Sequence, residues 1–100
     1  MIQAQIFIDK DELHDKRKLY EFIMEFLLSK KVSGATAFEG LLGFGPNDRQ
    51  MHRPGRLFSF DEPPMMIVFI DEDKKAKEVV AELRRDFAGG LIITSQVEVW

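Results

Sequence analysis

Arg49, His52, Arg53 and Arg56 crowd one short stretch of a chain whose formal charge is −3. Arginine guanidinium groups bind phosphate or carboxylate in a bidentate way. Immediately before them stand Gly40, Gly43, Phe44 and Gly45. A glycine-rich backbone can approach a ligand closely and turn its N–H groups on an anion. The same glycines could equally form a hinge by which the chain leaves a strand. The arginines could equally be a solvated basic loop, or pair with Asp61, Glu62 or a neighbouring subunit. Both readings stay open from the residues alone. On the first, Gly40, Gly43, Phe44, Gly45, Arg49, His52, Arg53 and Arg56 form a ligand-binding set for a small anion.

Other chemistries have less support. The chain has two histidines, His14 and His52, and no cysteine. Neither histidine has a partner at metal-ligand spacing, so no metal site is expected. His52 and Asp61 are types that could form an acid–base pair. Ser29, Ser33, Ser59 and Ser95 sit in no nucleophile motif, and Asp71 and Asp73 suit a helix start, so no enzymatic activity and no cofactor are expected. Phe44, Phe58, Phe60 and Trp100 could stack on a ring, but Phe58 and Phe60 share a strand face that suits a core. The acidic balance gives no footprint for nucleic acid.

The 100 residues are 45% hydrophobic and 31% charged, which fits a single domain spanning 1–100. A domain this short buries only about 60–65% of its unfolded surface, so association with other copies would help it. The opening MIQAQIFIDKDEL alternates like a strand and lacks the basic start and apolar run of a signal peptide. A cytoplasmic location is the default expectation.

The elements that must position the basic stretch follow from periodicity. Ile2, Ala4, Ile6 and Ile8 alternate with Gln3, Gln5 and Phe7, which predicts a strand over 2–8. Residues 9–15 form a polar connector, with Asp15 placed to cap a helix over 16–30 whose inner positions are Leu19, Tyr20, Ile23, Phe26 and Leu27. Lys30 and Lys31 suit its negative end, with Gly34 just beyond. A strand is predicted over 35–42, then a long loop over 43–56. Residues 57–60 read as short and extended, and 61–64 as a turn. Met65–Ile70 is a strand apolar at every position. Asp71, Glu72 and Asp73 favour a helix whose inner stripe is Ala76, Val79, Val80, Leu83 and Phe87, ended by Gly89 and Gly90. Residues 91–100 read as the last strand, with Leu91, Ile93, Val97 and Val99 on one face.

This βαββαβ order predicts an α+β ferredoxin-like sandwich: a four-stranded antiparallel sheet with both helices on one face, because each crossover is right-handed. Met65, Ile67 and Phe69 then point one way and Met66, Val68 and Ile70 the other, so that one set meets the helices and the other lies on a bare face. Strands apolar on both sides are usually covered on both, so other subunits are expected on the bare face. Gln3 and Gln5 argue that part of it stays wet.

Several runs of residues together resemble one family: Gly34-Ala35-Thr36, Gly40, Gly43-Phe44-Gly45, Met51-His52-Arg53, and Asp61 with Pro63 or Pro64. Leu19-Tyr20-Glu21, Val68-Phe69-Ile70-Asp71-Glu72, Gly90-Leu91 and Val97-Glu98-Val99 fit as well. The chain resembles the PII-like family called domain of unknown function one hundred and ninety, over nearly its whole length. The resemblance implies a ferredoxin-like fold, a homotrimer, and kinship with nitrogen-signalling PII proteins. Those sense adenine nucleotides and 2-oxoglutarate between subunits and dock on targets through a long loop. The implied function is a trimeric regulatory sensor of a small anionic effector, such as a nucleotide, that controls a protein target (a membrane transporter is one kind) through the 43–56 loop. The alternatives are a protein-interaction module with no small ligand, or a small ferredoxin-like enzyme. One departure stands out: PII proteins carry a glycine-rich phosphate loop with a lysine before the last strand. Here Gly89-Gly90 alone stands there, and no basic residue follows Arg85.

Overall fold

The structure, a computed structural model, describes residues 1–44 and 63–100. Strand β1 (Ile2–Asp9) leads into a small hairpin of β2 (Leu13–His14) and β3 (Arg17–Lys18), then helix α1 (Leu19–Ser29) and strand β4 (Ala35–Glu39). After the undescribed residues come β5 (Pro64–Asp71), helix α2 (Asp73–Asp86) and β6 (Leu91–Gln96). The main sheet has the order β4-β5-β1-β6, and every neighbouring pair is antiparallel. This is the ferredoxin-like arrangement that the element order requires.

The strand period of two sorts the core. Ile2, Ala4, Ile6 and Ile8 of β1 are buried with Met65, Ile67 and Phe69 of β5. Leu19, Ile23 and Leu27 of α1, and Ala76, Val79 and Leu83 of α2 with Phe87 beyond it, cover them. All belong to one buried cluster. Both helices therefore lie on the same face, as the crossover rule demands.

Several boundaries differ from expectation, each for a local reason. Asp15 does not cap a helix. With Lys16 it forms the tip of the β2–β3 hairpin, both residues having positive φ (49° and 68°), which suits a two-residue turn of the mirror-image kind. Helix α1 thus starts at Leu19, with no side-chain cap at Lys18. At its other end Lys31, not Gly34, takes the left-handed conformation (φ 58°). Lys31 N–H donates to the Leu28 carbonyl and Val32 N–H to the Leu27 carbonyl, the paired bonds of a Schellman stop. Strand β4 ends at Glu39 rather than residue 42, β5 begins at Pro64, and β6 ends at Gln96 rather than Trp100. On β6 it is Leu91, Ile93 and Ser95 that share the bare face, opposite Phe7, Gln5 and Gln3. The expected extended segment 57–60, and residues 61 and 62 of the expected turn, lie outside the described residues.

The α2 start is tied to the α1–β4 connection through Asp71. Its carboxylate accepts N–H bonds from Glu72 (2.8 Å) and Ser33 (3.2 Å), and Lys75 Nζ lies 3.5 Å away. Burial pushes this carboxyl up, but the two backbone donors and the Lys75 ammonium outweigh it and hold the pKa below the usual range. A group depressed on folding stabilises the native state above its unfolded pKa of about 4, and that stabilisation is lost as pH falls through the lower folded value. Asp71→Asn should cost about 1–3 kcal/mol at pH 7, because a buried, charged acceptor of two backbone N–H groups is removed. Urea melts at pH 7 and pH 3 check this: the gap between native and variant should narrow at the lower pH.

Candidate functional site

The described part of the predicted ligand set is Gly40, Gly43 and Phe44. They form a turn directly after β4 at one end of the sheet. Gly40 N–H donates to the Pro64 carbonyl at 2.7 Å, so this donor is already engaged. A Cβ built on Gly40 would come within 2.7 Å of Pro64 Cγ, and one on Gly43 within 3.1 Å. Close passage over the Pro64 ring, rather than a positive φ, is what requires small residues here. The turn turns its apolar side chains outward: Leu41, Leu42 and Phe44 are all largely exposed. Gly45, Arg49, His52, Arg53 and Arg56, and Asp61 beside them, lie outside the described residues.

At the same end of the sheet, the turn at 87–90 enters β6. Arg84, near the end of α2, reaches back into it. Its Nη1 donates to the carbonyls of Gly89 (2.8 Å) and Phe87 (3.3 Å), and Nη2 to that of Gly90 (3.3 Å). Its guanidinium also lies 5.2 Å from the Phe87 ring centre. Gly90 has φ +70°, and a Cβ there would meet the Phe7 carbonyl oxygen at 2.5 Å. This turn is therefore built to one shape. The sequence signal for Arg84 was its place five and six residues before the glycine pair Gly89-Gly90, which composition alone does not mark as special.

Register fixes how these pieces align. Phe38 pairs with Met66, Met66 with Phe7, and Phe7 with Leu91. These four side chains form one apolar row across the bare face, from edge to edge. The next row is Thr36, Val68, Gln5 and Ile93, and the third includes Ile70, Gln3 and Ser95. Phe7, Phe38, Leu91 and Ile93 are 36–56% exposed. The bare face is thus apolar towards the end that carries the 40–44 and 87–90 turns, and polar towards the other, where Gln3 lies. Beneath the first end, Lys10 crosses to Glu39 (3.0 Å), and the hydrogen bond with that carboxylate holds the Lys10 pKa above its usual value.

His14 is not part of this end's chemistry; its ring stacks on Phe22 at 4.3 Å between centroids. Trp100 is fully exposed beyond the end of β6. Among the described residues no three His, Cys, Asp or Glu side chains gather as metal ligands, and no helix is long and apolar enough to cross a membrane.

The profile of the DUF190 family, described as "Uncharacterized ACR, COG1993", matches residues 1–99. The chain belongs to this family. A relative, a "UPF0166 protein" of Aquifex aeolicus (strain VF5), is 29% identical over 96 residues, 95% of this chain and 89% of that protein. Among solved structures, CPII bound to ADP, AMP and acetate, from Thiomonas intermedia K12, superposes with a TM-score of 0.66 at 16% identity, covering 99% of this chain and 87% of that one. CutA1 from Pyrococcus horikoshii superposes with a TM-score of 0.64 at 13% identity, covering 100% and 86%. At such identities the two structures establish the shared fold: this DUF190 chain is PII-like in architecture.

The turn geometry makes three glycines separable. Gly90→Ala should destabilise most, by about 2–3 kcal/mol, from left-handed strain and collision with backbone. Gly40→Ala should cost less, about 1–2 kcal/mol, because the far side of a proline ring can yield. Gly34 has open space and an ordinary φ, so Gly34→Ala should be neutral or stabilising by up to about 1 kcal/mol. Equilibrium urea unfolding of the three variants would measure the order.

Proposed function

We propose that this protein is a PII-like regulatory protein, a homotrimer that senses a small anionic effector and controls a protein partner through its 43–56 loop. The observation that carries this reading is the apolar row Phe38–Met66–Phe7–Leu91, which reaches both edges of a face that no helix covers. Small domains of this size gain most from covering such a face with further copies. Copies so arranged place the 40–44 turn, at the base of the loop, at a boundary between subunits. Arg49, His52, Arg53 and Arg56 supply the positive charge, and a nucleotide is the effector class that arginines and a stacking Phe44 together suit. The likeness to CPII, whose structure holds ADP, AMP and acetate, supports testing those ligands first. Effector binding beside the loop would alter the surface offered to the partner, a binding role and not a catalytic one. The proposed setting is the cytoplasm, with a membrane transporter as one kind of target.

A second reading has its own support. Leu41, Leu42 and Phe44 are exposed apolar side chains on one turn, which suits a protein-docking surface with no small ligand.

Thermal unfolding with ADP, AMP, ATP, acetate and 2-oxoglutarate separates the two. A true effector at a hundred times its Kd adds about 2.7 kcal/mol, a rise of roughly 10–20 °C for a domain this small. The double variant Arg53→Ala/Arg56→Ala should abolish that rise while keeping the unliganded Tm. A flat response to every ligand at millimolar concentration would reject small-anion sensing and leave the docking reading.

A further inference from the structure

Arg84 sets the peptide groups of the 87–90 turn. Its guanidinium takes the carbonyls of Phe87, Gly89 and Gly90. A trans peptide holds N–H opposite C=O, so the N–H groups of Ala88 and Gly90, which share planes with the Phe87 and Gly89 carbonyls, point away from Arg84. Among the described residues, the N–H groups of Ala88, Gly89 and Gly90 have no acceptor. The hydrogen-bond acceptors of Arg84 there are all neutral carbonyls, so its charge is not matched by a bonded carboxylate. Successive free donors beside such a guanidinium favour an oxyanion.

This chain brings an anion of its own to that place. Glu12 Oε2 lies so close to Gly89 that a Cβ built on the glycine would meet it at 2.8 Å, with Cδ at 3.7 Å. Only Gly90 of the described glycines has a positive φ, so at Gly89 it is space for the carboxylate that excludes a side chain. The carboxylate is delivered by a fixed arm. Glu12 N–H donates to the Asp9 carbonyl (3.2 Å), and the Glu12 carbonyl accepts from the Leu19 N–H (2.8 Å). The hairpin beyond is tied down by Lys18–Asp11 (3.0 Å), by Arg17–Glu25 on α1 (2.6 Å) and by the His14 ring on Phe22. The carboxylate itself is not tied: among the described residues it has no hydrogen-bond or ion-pair partner. It can therefore swing aside while its backbone stays in place.

We propose that Glu12 determines the anion selectivity of the 87–90 turn, as a tethered carboxylate that a free oxyanion (a phosphate or a carboxylate) must displace to reach the amides of residues 88–90. With the charge of Glu12 in place the turn discriminates against small anions; without it the turn takes them. The inference goes beyond the sensor reading, since it involves neither residues 43–56 nor a second chain.

The test is a titration of the full chain with inorganic phosphate, and separately with acetate, at constant ionic strength, followed by amide proton–nitrogen correlation spectra. Glu12→Gln keeps the shape of the side chain and removes its charge. It should lower the apparent Kd for phosphate at the Ala88, Gly89 and Gly90 amides roughly tenfold, the size of a close like-charge repulsion in partly solvated surroundings. Acetate, with less charge, should show a smaller gain in the same direction. Glu12→Ala should match Glu12→Gln, and the spectra themselves report that each variant is folded. Glu78→Gln is the control: Glu78 lies nine residues before Phe87 along α2, about 14 Å away and beyond the screening length. It should leave the titration unchanged. Equal Kd values for the unaltered protein and Glu12→Gln would overturn the proposal. So would no saturable shift at these three amides in either Glu12 variant, or a gain in Glu78→Gln as large as that in Glu12→Gln.

Discussion

Ile6 and Ile67 face each other at the centre of the sheet, fully buried beneath the two helices. One residue further along each strand, Phe7 and Met66 face each other on the opposite side, where no helix lies. That contrast follows from the pleat and from the single hand of the two crossovers, and most of the molecule's behaviour follows from it. A four-stranded sheet with helices on one side has a second surface. Here that surface is apolar towards one end, and that end carries both turns, the one fixed by Arg84 and the one wrapped over Pro64. Burying this surface and positioning the candidate site are therefore one physical problem.

Much of the architecture was legible because it depends on periodicity. The alternation in 2–8, the unbroken apolar strand at 65–70 and the helical stripe ending at Phe87 needed no further information. The misread boundaries share a cause: each is set by the supply of partners, not by the pattern. Val97 and Val99 continue the alternation of β6, but Ile2 already pairs with Gln96 and the Val97 N–H finds only the Met1 carbonyl, so the ladder runs out. Leu41 and Leu42 look like strand, yet the Gly40 N–H bends to the Pro64 carbonyl and takes the chain off the sheet. Asp15 and Lys16 have ordinary helix-compatible types, and nothing in them announces a hairpin tip with two positive φ values.

The candidate site was legible in part. The glycines at 40–45 were open to two readings, an anion cradle or a hinge, with the strand expected to run to residue 42; the structure turns the chain at 40–43 for a different reason. Glycine is required there by a neighbouring proline ring, which lies more than twenty positions away in the sequence and could not be inferred from it. The place where glycine is needed for its backbone freedom is Gly90, beneath the Phe7 carbonyl. The role of Arg84 in holding that turn was invisible for the same reason, since three carbonyls become acceptors only once the chain has curled back. The basic residues 49–56 remain a statement about composition, and their part in the proposed function rests on it.

The central claim is that the apolar row on the bare face is covered by other copies of this chain. Sedimentation equilibrium at micromolar concentration, on the unaltered protein and on Phe7→Glu/Leu91→Glu, tests it most directly. The account predicts a three-chain mass for the first and one folded chain for the second, its helices and strands retained by circular dichroism. A stable single chain of the unaltered protein at that concentration would contradict it.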